Sequence, residues 1–212
     1  MAQLFPLKDT PNSIEVLLRA SLTGLKKAGN RLPDKGYTLE GLTIDKDQFK
    51  EYCKMFGFDE STVPSPYWYI RLFSVKSLLM AHPDAPFPMP GMVHLYDEIK
   101  QFDTIYPTDK LDATCQFGRL FKHDKGTAME IVSTLKRDGK VVWEEKNVNL
   151  YFGKKDIGQK ADESPSIEIN HPDRTLAWEL ESNLGFQYAK MSGDFNPIHL
   201  HAIGGKLFGF PR

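Results

Sequence analysis

The chain has 212 residues, 41% of them hydrophobic and 26% charged, enough apolar material to bury the core of one large domain or two modest ones. Its formal net charge of −1 supplies no field to draw in nucleic acid or an anionic membrane, so a phosphate-rich ligand would need a local basic patch. No stretch reaches the roughly 20 apolar residues of a membrane span. The start, Met1-Ala2-Gln3-Leu4-Phe5-Pro6, lacks the pattern of a secretory leader. With two cysteines, Cys53 and Cys115, the expectation is a soluble cytoplasmic protein with free thiols.

Over residues 12–27, Ile14, Val16, Leu17, Leu18, Ala20, Leu22 and Leu25 recur at helical spacing. Asn12 or Ser13 is a fitting start, so a packing helix leads into the domain. Asn30, Pro33, Asp34 and Gly36 break it. Residues 37–44 then read as a strand and 47–56 as a helix. Pro64 and Pro66 introduce an apolar stretch, with Tyr67, Trp68 and Tyr69 at its head, that runs to Met80 as a buried helix. Pro83, Pro86, Pro88 and Pro90 enforce an extended connector, because each disfavours helix in the residue before it.

From 92 to 152 the texture is that of strands. Asp124-Lys125-Gly126 and Arg137-Asp138-Gly139-Lys140 are tight-turn sequences, the second a strong hairpin signal, and sequential hairpins imply an antiparallel sheet. A polar piece from 153 to 166 reads as linker. The pattern then restarts, strand-like over 175–180 and helix-like over 183–191.

The restart is a repeat. Tyr52-Cys53-Lys54-Met55-Phe56-Gly57 aligns with Tyr188-Ala189-Lys190-Met191-Ser192-Gly193 at an offset of 136 residues. The same offset sets Asp194 opposite Phe58 and His199 opposite Val63. One copy is apolar where the other carries an acid and an imidazole, which suggests that one unit shapes a pocket while the other performs chemistry.

Asp194 and His199 are separated by Phe195-Asn196-Pro197-Ile198, a segment that cannot continue a helix. Gly193 permits a sharp turn before the acid, and Asn196 can hold the loop by bonding its own backbone. A carboxylate and an imidazole sharing one water make a general acid–base pair near neutral pH. The plainer alternative is that these residues are only turn formers. A metal site from Asp194, His199 and His201 is disfavoured, since no Cys or Glu cluster supports it.

The strip Tyr188-Ala189-Lys190-Met191-Ser192-Gly193-Asp194-Phe195-Asn196-Pro197-Ile198-His199 resembles the signature of the MaoC-like dehydratases, the (R)-specific enoyl-CoA hydratases. The tail Leu207-Phe208-Gly209-Phe210-Pro211 and the Gly91-Met92-Val93-His94 run suit the same family. The resemblance implies an α+β hotdog fold, an antiparallel sheet around a central helix, in a double-hotdog architecture. It implies Asp194 as base and His199 as the group that positions water and relays its proton, with Ser192, Gly193 and Asn196 supporting the loop. Phe58, Val63, Tyr67, Trp68 and Tyr69 would shape the acyl tunnel, with core packing an equal reading for the aromatics. The substrate would be an acyl-CoA or acyl carrier protein thioester, with no cofactor, no metal, no nucleic acid and no membrane.

The expected organisation is a helical lead-in over 1–36, a non-catalytic first unit over 37–153, a linker over 154–173 and the start of a second unit over 174–212. Only 38 residues run from Thr175 to Arg212, too few for a core of their own. A C-terminally incomplete second unit is therefore expected, completed by a homodimer or by a complementing C-terminal fragment. A non-catalytic thioester-binding or assembly subunit and a hotdog thioesterase are the competing functions.

Overall fold

The computed structural model describes residues 2–22, 29–153, 157–160, 175–177 and 179–195. Its sheet is organised by two tight hairpins. In the turn between β5 (Gly126–Arg137) and β6 (Lys140–Phe152), Asp138 and Gly139 have φ of 51° and 79°. Positive φ at both central positions matches the right-handed twist of the flanking strands, and Asp-Gly tolerates it. The Asp124-Lys125 turn joins β4 (Leu111–His123) to β5, and His123 pairs with Gly126. β6 then pairs antiparallel with β3 (Val93–Gln101), and β4 with β2 (Lys35–Leu42).

A sixth strand, β1 (Gln3–Leu7), adds parallel to β2 at the outer edge, giving the order β1-β2-β4-β5-β6-β3. The lead-in expected over 1–36 therefore supplies a sheet strand as well as a helix. Pro6 hides this strand from a propensity reading, and an edge position is where a strand accommodates proline. The helix of the lead-in, α1 (Ser13–Leu22), is capped by Asn12, whose Oδ1 accepts from the N–H groups of Ile14 (2.9 Å) and Glu15 (3.2 Å). Only part of its apolar stripe packs as expected: Val16 and Ala20 are buried, while Ile14, Leu18 and Leu22 face outward.

α2 (Lys46–Phe56) starts where Asp45 Oδ1 accepts from the N–H groups of Asp47 and Gln48, both at 3.0 Å. The long buried helix expected to end at Met80 is divided into α3 (Tyr67–Arg71) and α4 (Phe73–Met80) at Leu72, whose φ of −98° and ψ of 0° leave the helical region. α4 lies on β4 and β2, with α1 and α3 against it. A mainly antiparallel sheet carrying this central helix is the hotdog arrangement. Its main core joins Leu39, Phe49, Trp68, Leu79, Phe87, Leu111, Ile131 and Trp143. A smaller cluster, Phe121, Ala128 and Val148 with Leu95, lies apart from it.

The last described helix is α5 (Leu184–Ser192), which agrees with the sequence reading and contacts α3. The strand expected over 175–180 is not formed among the residues described there. Leu176 and Leu180 are exposed and no strand edge pairs with them, so the backbone has no ladder to join.

Candidate active site

The catalytic strip begins where α5 ends. Gly193 closes the helix with φ 76° and ψ 5°, and its N–H donates to Ala189 O at 2.9 Å. Gly57 closes α2 in the same way, with φ 71° and ψ 27° and its N–H on Cys53 O. The 136-residue offset places Cys53 on Ala189 and Gly57 on Gly193, so the two copies share a local structure as well as residues. Both need glycine, because a left-handed C-cap is strained for residues with a Cβ. Gly193 is confined a second time: a Cβ there would meet the side chain of Ser13 at the start of α1.

The two copies are also tied together. Gln48 on α2 donates from Nε2 to Met191 O (2.8 Å), and its Oε1 accepts from Tyr67 Oη (3.2 Å) and Arg71 Nη1 (3.4 Å). Phe56 meets Tyr188 edge-on at 6.1 Å. One amide side chain thus links α2, α3 and α5 just before the strip.

Past Gly193 the chain turns sharply. Phe195 N–H donates to Gly193 O (3.1 Å), and Asp194 N–H donates to the hydroxyl of buried Ser192 (3.2 Å). Asp194 is partly buried. Its charge reaches two phenols. Burial, then the charges of Asp194 and Asp97, push Tyr188 up to about 12. Burial and the same two carboxylates, with further help from Tyr188 and Glu145, push Tyr69 up as well. Both phenols therefore stay protonated at neutral pH and are hydrogen-bond donors. Asn196 and His199 lie outside the described residues, as does His201.

The tunnel candidates divide. Tyr67 and Trp68 are 0% exposed and Val63 2%, enclosed in the main core, with Tyr67 edge-on to Phe49 and Tyr52. Phe58, the counterpart of Asp194, is partly exposed and stacks on Tyr52 at 5.9 Å. Tyr69 is only partly buried and is the aromatic of this group within reach of Asp194. An open groove between α2 and α5, lined by Glu51, Lys54, Met55, Leu184, Lys190 and Met191, does not include Asp194.

Sequence reasoning missed a polar seam inside the first unit. Lys76 on α4 reaches Glu145 on β6 at 2.7 and 2.9 Å, with side chains 2% and 0% exposed. Lys76 Nζ also sits 3.8 Å above the Tyr69 ring. Burial pushes the Glu145 carboxyl up, against the pull of Lys76. Further along β6, Asn149 Nδ2 donates to Asn147 Oδ1 (2.5 Å) and Asn147 Nδ2 to Asp97 Oδ1 (2.7 Å), while His94 Nε2 lies 3.2 Å from Asp97 Oδ2. The available signal was the period-2 run Glu145, Asn147, Asn149 in a strand whose other face carries Val148 and Leu150. Read as a solvent face, it is in fact buried.

No protein-family model matches the chain. The chain is 28% identical over 205 residues to 3-hydroxyacyl-thioester dehydratase X of Mycobacterium tuberculosis, covering 95% of this chain and 73% of that protein. The crystal structure of the M. tuberculosis protein HtdX superposes with a TM-score of 0.68 at 25% identity, covering 83% of this chain and 68% of that one. A MaoC-like dehydratase from Phytophthora capsici shares the fold, with a TM-score of 0.64 at 18% identity over 82% of this chain and 66% of the other. The family resemblance read from the sequence and the structural likeness agree.

Proposed function

Since the chain is a homologue of 3-hydroxyacyl-thioester dehydratase X with the hotdog fold of the MaoC-like dehydratases, we propose that it is a hydro-lyase interconverting 2-enoyl and (3R)-hydroxyacyl thioesters. The observation that carries this reading is the strip itself. An acid follows immediately on a left-handed helix cap, its N–H tied to Ser192, in a chain related over 95% of its length to that dehydratase.

In the hydration direction Asp194 takes a proton from a water positioned with His199, the water oxygen bonds to C3, and the double-bond electrons move toward the thioester carbonyl. The resulting enolate takes a proton at C2 through the same pair, so water is added and nothing else is consumed. Backbone N–H groups around the carbonyl would stabilise the enolate oxygen. Asn196 steadies the loop between the two groups. The substrate is carried on CoA or on acyl carrier protein, and the first unit forms one wall of the acyl site through Tyr69 and Phe58. The double-hotdog organisation belongs to this reading, with residues 174–212 opening a second unit that a second copy or a complementing C-terminal fragment completes. The free thiols of Cys53 and Cys115 suit a reducing cytoplasm, and no helix among the described residues is long and apolar enough to cross a membrane.

Asp194→Asn and His199→Ala are each expected to lower kcat for crotonyl-CoA hydration by at least ~100-fold, the usual scale for a general acid–base group, with an unchanged thermal unfolding midpoint. Near-normal turnover by either variant would remove the assignment.

A further inference from the structure

β3 does not run straight. Its register to β6 shifts between His94, paired with Asn149, and Tyr96, paired with Val148, before Asp97 pairs with Asn147. This bulge at Leu95 has a consequence for side-chain direction, since an extra residue reverses the alternation of the strand. Leu95 joins Phe121, Ala128 and Val148 in the smaller cluster. His94 and Asp97, three residues apart, come to the same face and meet at 3.2 Å. Without the bulge, Leu95 would stand beside Asp97 in place of the imidazole.

The pair is built in on every side. Asn149 fixes Asn147, which fixes one oxygen of Asp97, while His94 takes the other. The His94 ring lies 6.0 Å from the ring of Tyr69. The charged and titratable groups facing it are Asp97 on its own strand, Lys76 on α4, Tyr69 on α3 and Glu145 on β6. Tyr188 and Asp194 on the α5 side complete the set, since the Tyr69 and Tyr188 phenols each feel both Asp97 and Asp194.

We propose that His94 and Asp97 form a positioning dyad in the non-catalytic unit, coupled to Asp194 across the phenols of Tyr69 and Tyr188, which sets the charge against which the catalytic strip works. Its catalytic consequence rests on the hydration reading; the coupling itself does not. The hydrogen bond to Asp97 raises His94 above its ordinary value against the cost of burial, and Asp97 is lowered because His94, Lys76 and Asn147 outweigh its own burial. With His94 protonated the dyad is neutral. As pH rises through the raised value the proton leaves, and a net charge of −1 remains beside the phenols. That charge opposes the enolate, so kcat falls with rising pH at a midpoint above the usual histidine value of about 6.5. His94→Gln removes this fall, leaving kcat at the level of the parent's high-pH arm. Asp97→Asn moves the fall to lower pH.

The direct test is an NMR titration of the histidine side chains in the purified protein, with the His94 signal identified by its loss in His94→Gln. The expected result is a His94 midpoint above 6.5 that drops in Asp97→Asn. It should also drop by about a few tenths of a pH unit in Asp194→Asn, because coupling between two charges is reciprocal. An unchanged His94 midpoint in Asp194→Asn overturns the proposal, because a pair that merely braces the edge strand has no reason to sense that carboxylate. Coupling without any hydration of crotonyl-CoA leaves the dyad standing and removes the hydration reading. Hydration without coupling removes the dyad alone.

Discussion

Gly57 and Gly193 hold equivalent places in the two copies, yet a side chain would meet different surroundings at each. At Gly57 a Cβ finds nothing within 4 Å, so Gly57→Ala bears only the left-handed backbone cost, about 1–2 kcal/mol. At Gly193 the same backbone cost is joined by a collision with Ser13. Gly193→Ala is therefore expected to lose more stability in urea unfolding than Gly57→Ala. It should also lower kcat at least ~10-fold by shifting the loop that carries Asp194, while Gly57→Ala leaves kcat within about twofold. Equal effects of the two substitutions would show that the contact with Ser13 does not hold the strip. The first of these glycine requirements was legible, because a tight turn before the acid calls for glycine. The second was not, because Ser13 lies far away along the chain and only the fold brings it to Gly193.

Among the elements, the hairpins and α2 were legible because each has a local cause: Asp138-Gly139 for one turn, Asp45 as a cap, Gly57 as a stop. β1 was not, since its pairing is with a strand that starts some thirty residues later and Pro6 argues against it locally. The strand reading of 175–180 failed for the converse reason, a local apolar pattern with no partner edge. The polar run of β6 shows most clearly how tertiary context overrides alternation. Glu145 is buried because Lys76 arrives from α4 to meet it. Removing one partner strands the other charge in the core, so Lys76→Met is expected to destabilise the protein by ~3–5 kcal/mol. The double variant Lys76→Met with Glu145→Leu should recover most of that loss. Denaturant unfolding of the three proteins measures it, and a double variant no more stable than Lys76→Met would show that the seam is held by something other than charge pairing.

At the scale of the whole molecule, the repeat divides the labour as its residues suggested. The first copy contributes Phe58 and a packed aromatic core, and the second contributes Asp194 on an otherwise equivalent helix cap. The apolar wall expected from Val63, Tyr67 and Trp68 was over-read, since aromatic residues at the head of a central helix satisfy the core before they reach a ligand. What the sequence could not disclose is that the first unit is far from inert, with Lys76, Glu145, His94 and Asp97 aligned behind Tyr69. These side chains come from α4, β3 and β6, and only the sheet register and the bulge at Leu95 assemble them. Hydration of an enoyl thioester remains the claim on which the rest depends, and crotonyl-CoA tests it most directly. The purified protein should remove the conjugated enoyl absorbance, yield the (3R)-hydroxybutyryl thioester and release no free thiol. Unchanged absorbance alongside substrate binding would make it a thioester-binding subunit, release of free thiol would make it a thioesterase, and either result would contradict the account.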